Sequence, residues 1–102
     1  MNLTCTHHQH CSELVLEGAM TIMEAVDLRD ALAEALFSAH GPVQLDLSRV
    51  TALDSAGLQL LIDVVRARDS VQLVALSEVV SARVARFGLT AVLRLEGEQH
   101  GT

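Results

Sequence analysis

Asp54-Ser55 is the pair best placed to do chemistry in this chain. It follows the short apolar segment Leu45-Asp46-Leu47 and its polar continuation Ser48 to Leu53. It immediately precedes an aliphatic run that begins at Ala56. A hydroxyl at that junction sits at the positive end of a helix dipole, where a phosphate is favoured. Two readings of Ser55 stand side by side. Serine and aspartate are both preferred N-caps, so the pair fits a purely structural cap. If Asp54 takes the cap, Ser55 becomes the first helical residue and its exposed hydroxyl a phosphorylation switch. Hydrolase chemistry is not indicated. Ser55 lies in no Gly-x-Ser-x-Gly elbow, and no histidine is placed beside it by sequence. There is no glycine-rich phosphate loop. The chain reads as a non-enzyme without a cofactor.

The second chemical cluster is Cys5, His7, His8, His10 and Cys11. These are soft-metal ligand types, but their spacing fits no standard zinc pattern. A strand sends His7 and His8 to opposite faces. An exposed hairpin is the favoured reading and no metal site is expected. Two thiols without a visible secretory signal are expected to be free.

The elements that must position these groups follow from periodicity. Residues 2–8 and 12–17 read as strands, with Gln9-His10-Cys11 as the hairpin loop and Gly18 as a break. Thr21 and Glu24 form a capping box. The helix it opens runs to about Ser38, with Ala25, Leu28, Leu32, Ala35 and Leu36 on one face, and His40-Gly41-Pro42 ends it. Residues 43–47 make a strand and 56–68 a helix. Residues 71–76 are apolar enough to predict a central strand. Ser77 caps a third helix over about 78–87, carrying Val80, Val84 and Phe87 inward, with Gly88 as its stop. Residues 90–95 predict a last strand, and 96–102 a frayed tail. The order β-β-α-β-α-β-α-β predicts one α/β domain over 1–102, with a mixed sheet and helices mainly on one face.

The helix after Ser55 carries too much apolar surface for one stripe. Leu58, Leu60, Leu61, Ile62, Val64 and Val65 cover an arc of roughly 200°. Either neighbouring helices cover the excess, or Leu60 and Val64 border a partner-binding patch beside Ser55.

Composition narrows the partners. The chain has 102 residues, half of them hydrophobic, and a formal net charge of −6. A nucleic-acid backbone is repelled by that charge. Two aromatic residues, Phe37 and Phe87, make no stacking platform. No apolar run reaches the length of a membrane span, and no signal peptide is visible. The expectation is a soluble cytoplasmic protein that inserts in no membrane.

The segment from Val43 to Leu61, with Leu-Asp-Leu-Ser-x-Val and then Leu-Asp-Ser-Ala-Gly-Leu, resembles the signature of the STAS domain, the family named for sulfate transporters and anti-sigma factor antagonists. Leu16-Glu17-Gly18 and Phe87-Gly88-Leu89 extend the similarity over nearly the whole chain. In the antagonist branch the serine after the aspartate is phosphorylated by a partner kinase that is also the anti-sigma factor. The resemblance implies that role for Ser55. It implies a partner-binding surface at Thr21, Asp54, Ala56, Gly57, Leu58, Gln59, Leu60 and Val64, with Gly57 letting a partner approach the backbone closely. Gly18-Ala19-Met20-Thr21 lacks an acidic residue common in that branch, and Ala56 replaces a second serine. The Asp-Ser-Ala-Gly-Leu-Gln form also resembles STAS proteins of bacterial chemotaxis clusters and small accessory subunits of lipid-transport ATPases. Those alternatives imply docking without phosphorylation. A homodimer on the same patch is a further alternative.

Overall fold

The strand whose alternation is cleanest, residues 43–47, is apolar on one side only. In the computed structural model, which describes residues 2–39 and 41–93, Val43, Leu45 and Leu47 are buried while Gln44 and Ser48 are exposed. The strands are β1 (Asn2–His7), β2 (Ser12–Met20), β3 (Val43–Leu53) and β4 (Val71–Leu76), in sheet order β1-β2-β3-β4. β1 and β2 are antiparallel; β2–β3 and β3–β4 are parallel. The helices are α1 (Ile22–Ser38), α2 (Ser55–Ala67) and α3 (Glu78–Arg86). Buried residues of the sheet and of all three helices form one cluster. The opposite side chains of β3 are not in it, so the helices pack on one face of a mixed sheet.

Several boundaries differ from the expectation. β2 runs through Gly18 to Met20. Gly18 adopts φ 114, open to glycine at little steric cost, and the β2–β3 register shifts between Gly18 and Ala19. The glycine is therefore a bulge within the strand and not its end. β3 likewise absorbs the polar stretch 48–53, because it keeps pairing with β2 as far as Met20↔Leu53. Asp46 Oδ1 accepts from the Ser48 N–H at 2.8 Å and the Ser48 hydroxyl at 2.7 Å, near the irregularity.

β4 lies at the edge of the described sheet, not in its centre. Its apolar run is buried on one face, at Val71 and Leu73, while Gln72 is exposed. Ser77 caps α3 as expected, accepting from the Val80 N–H at 3.3 Å. Val80 and Val84 point inward, but Phe87 is 53% exposed. The helix stops at Arg86, and Gly88 at φ 64 turns the chain before Phe87 can continue the buried face. Residues 90–93 are turns, with the Leu93 N–H on the Leu89 carbonyl at 2.9 Å, and not the expected strand. The rest of that strand, the tail and His40 lie outside the described residues.

α1 and α2 are held side by side from both ends of α2. Asp54, just before α2, accepts from the Ile22 N–H at the start of α1 at 2.9 Å. Arg68, just after α2, donates Nη1–H to the Leu36 carbonyl in the last turn of α1 at 2.7 Å. A carboxylate at one end and a guanidinium at the other complement the α1 dipole. α1 has no basic residue in its own last turn.

Candidate functional site at the shared end of two helices

Of the two sequence readings, Asp54 is the cap. Its Oδ1 accepts from the Gly57 N–H at 3.0 Å, two residues inside α2. Ser55 is the first helical residue and is exposed. The Asp54 carboxylate therefore serves the N-termini of both helices, through Gly57 in α2 and Ile22 in α1. The expected capping box at Thr21 is not made. Thr21 occupies the N-cap position without a side-chain bond, and the Glu24 N–H goes to its carbonyl at 2.9 Å. The Ile22 amide, the first of α1, is taken by Asp54, from 32 residues away.

The two cap bonds hold the Asp54 carboxyl below its ordinary value of 3.8, the Gly57 N–H first and the Ile22 N–H second. A depressed carboxylate contributes stability that is present above its unfolded pKa and lost as pH falls through the folded one. Asp54→Asn is thus expected to lower the melting temperature at neutral pH. The gap to the parent protein should close as both are melted at pH values falling below about 3.8. A gap that persists undiminished in acid would mean that the ionised carboxylate is not what the amides hold.

The remaining predicted site residues separate by burial. Gln59 is exposed, and its Nε2–H donates to Asp63 Oδ1 at 3.0 Å. Asp54, Ala56 and Thr21 are half-buried. Gly57, Leu58, Leu60 and Val64 are buried. The apolar excess of α2 does not form an open patch. Leu60 is 5% and Val64 7% exposed, because α1 lies over them, with Leu32, Ala33 and Leu36 across from them. Gly57 also faces inward. A Cβ there would fall on the Met20 carbonyl oxygen and within 2.9 Å of Met20 Cβ. The close approach its missing side chain permits is by β2 of the same chain.

What the sequence reading missed lies on α1. Ile22, Met23 and Val26 are 69%, 85% and 60% exposed. They stand off the Leu28–Leu32 face, and their i, i+1, i+4 spacing, with Met23 and Val26 three apart, was a legible second stripe. Beside them a groove of about 230 Å³ runs between α1 and α2, lined by Ala25, Val26, Arg29, Ala56, Gln59, Leu60 and Asp63. Ala56, one residue after Ser55, lines this groove together with Val26, so Ser55 heads α2 next to the exposed apolar face of α1.

At the hairpin, no three Cys, His, Asp or Glu side chains converge on a metal-binding geometry among the described residues. Both cysteines are free. Among the described residues no helix is long and apolar enough to cross a membrane.

Residues 3–96 match the family model described as "Mlab, STAS domain". No curated protein matches the chain. Among solved structures it resembles the anti-sigma factor antagonist SpoIIAA in its unphosphorylated form, with a TM-score of 0.68 and 17% identity over 88% of this chain and 84% of that one.

Proposed function

This chain belongs to the STAS-domain family, and from that premise we propose that it is a non-enzymatic, cytoplasmic bacterial signalling module of the anti-sigma factor antagonist kind. In this reading it binds a partner kinase at the shared N-terminal end of α1 and α2, and Ser55 is the phosphorylation switch. The observation that carries the proposal is the division of labour at that end. Asp54 supplies the caps, which leaves the Ser55 hydroxyl exposed beside Ile22, Met23 and Val26.

The chemistry of the partner follows from the strip of Ile22, Met23 and Val26. Its centre is apolar, and its borders carry Asp63 and Asp30 together with Arg29, all exposed. The fitting surface has an apolar centre and a rim of mixed charge, with basic groups set opposite the two aspartates. A phosphate on Ser55 adds a charge of about −1.5 to −2 next to the Asp54 carboxylate. The helix dipole favours it in the free protein. Docking would then have to strip water from that phosphate to bring the apolar surfaces together, which opposes binding.

The test uses Ser55→Ala and Ser55→Asp proteins as baits in extract of the native organism, with mass spectrometry of the captured proteins and, on the parent chain recovered from the same organism, of Ser55 itself. A histidine-kinase-fold protein held by the Ala bait and weakened about tenfold or more on the Asp bait is the expected result. A second reading is favoured by the fact that Ile22, Met23 and Val26 are exposed with Ser55 unmodified, so they offer apolar surface that needs no phosphate to regulate it. It is a constitutively docked accessory subunit of a chemotaxis cluster or a lipid-transport ATPase. That reading predicts an ATPase subunit or a chemotaxis protein on both baits alike. A homodimer would appear as a mass that rises with concentration in light scattering.

A further inference from the structure

Far from Ser55 along α1, β1 presents Leu3, Cys5 and His7 on the side of the sheet that the helices cover. Their cross-strand partners in β2 are Leu16, Leu14 and Ser12, all buried. Yet Cys5 and His7 remain exposed, because α1 stands off from this edge. Between them is a groove of about 340 Å³, walled by Leu3, Cys5 and His7 from β1 and by Ala31, Glu34 and Ser38 from α1. That is within the size of small-molecule sites.

Inside the groove the His7 ring bridges two groups. Nε2 lies 3.6 Å from Cys5 Sγ, and Nδ1 lies 2.9 Å from Ser12 Oγ. Ser12 is fully buried, and its N–H is anchored on the Pro42 carbonyl at 2.9 Å. A fixed hydroxyl thus orients the imidazole. With Nδ1–H donated to it, the Nε2 lone pair faces the thiol. A thiol, an oriented base and a cavity able to hold a small molecule come together, none of them used by the Ser55 end of the protein.

We propose that Cys5 is a thiol–disulfide exchange site, with His7 as its base, for low-molecular-weight disulfides that carry ammonium groups. Cys5 passes its proton to His7 Nε2, and the thiolate attacks one sulfur of the disulfide. The S–S bond breaks as the new one forms. The departing thiolate takes the proton back from the imidazolium. Cys5 ends oxidised in a mixed disulfide, and the departing half ends reduced as a free thiol. The preference for an ammonium group comes from Glu34, the acidic residue on the α1 wall of the groove.

The test uses full-length Cys11→Ser protein, in which Cys5 is the remaining thiol. Mass spectrometry follows mixed-disulfide formation with cystamine, which is dicationic, and with dithiodiglycolate, which is dianionic. Cystamine is expected to react with Cys5 faster than with N-acetylcysteine. It should also outpace dithiodiglycolate, and Glu34→Gln should shrink that preference. His7→Gln, which retains hydrogen-bonding groups but no base, should slow the cystamine reaction about tenfold or more with an unchanged thermal melt. An unchanged rate in His7→Gln, or a Cys5 no faster than N-acetylcysteine, would overturn the site. Equal rates for the two disulfides would overturn the ligand class.

Discussion

Gly57→Ala is expected to destabilise the fold by about 1–3 kcal/mol, which for a domain of this size is a fall in melting temperature of about 4–8 °C per kcal/mol. The direction is informative because helix propensity predicts the opposite sign. Gly57 lies inside α2, where alanine is ordinarily better by about 0.5–1 kcal/mol. The new methyl would meet the Met20 carbonyl oxygen, which is backbone and cannot swing aside, as well as Leu53 Cδ1 at 2.8 Å and Met20 Cβ at 2.9 Å. The only relief is to lift the first turn of α2 away from β2. The same Met20 carbonyl accepts the Asp54 N–H at 3.3 Å, so the lift would also disturb the double cap. Thermal melts of Gly57→Ala beside Ala56→Ser, one position earlier on the half-buried side, check this. A stabilised Gly57→Ala would show that α2 does not approach β2 so closely.

Charging the apolar strip should abolish docking while leaving the fold intact. Met23→Asp and Val26→Asp are each expected to cost about 2 kcal/mol or more of partner binding, the range of residues central to an interface. Both side chains are largely exposed, so the folding cost should stay within about 0.5 kcal/mol. Phe37→Asp is the control. Phe37 is the most exposed large apolar side chain of the described residues at 93%, but it lies at the other end of α1. Titration calorimetry with the partner that the Ser55 baits identify, beside circular dichroism melts, separates the two effects. Binding lost in Phe37→Asp and kept in Met23→Asp would move the interface to the C-terminal end of α1.

The two predictions meet at Asp54. A carboxylate shared by the Ile22 and Gly57 amides makes the first turns of α1 and α2 a single unit. Any event at Ser55, one residue away, acts on the edge of the Met23–Val26 strip without having to propagate through the core.

Much of this was legible in the sequence, and the misses have identifiable causes. Ser77 capping α3 and Asp54 heading α2 are local devices, a side chain meeting an amide two or three residues on, so spacing reports them. Gly18 and the stretch 48–53 were misread because turn-type residues were taken as chain breaks. Their strands continue because each supplies the other's hydrogen bonds, in parallel pairing across a bulge. β4 was placed centrally because a short apolar run does not show how many of its faces are covered. Thr21 sits at the N-cap of α1 as its motif predicts, but its side chain makes no cap bond, and the first amide of α1 is held by an acceptor from a distant segment.

By itself the sequence determined the order of elements through α3, the position of Ser55 at the head of a helix, and the family resemblance carried by Val43 to Leu61. Those depend on periods and on hydrogen bonds that close within a turn. Only the tertiary structure decided that Met20 lies against Gly57, and that α1 covers Leu60 and Val64. It also decided that the exposed apolar surface nearest Ser55 is that of Ile22, Met23 and Val26. Each of these depends on how two elements more than 30 residues apart are set against one another. A helical or strand period gives the face of one element, but only packing decides what that face meets.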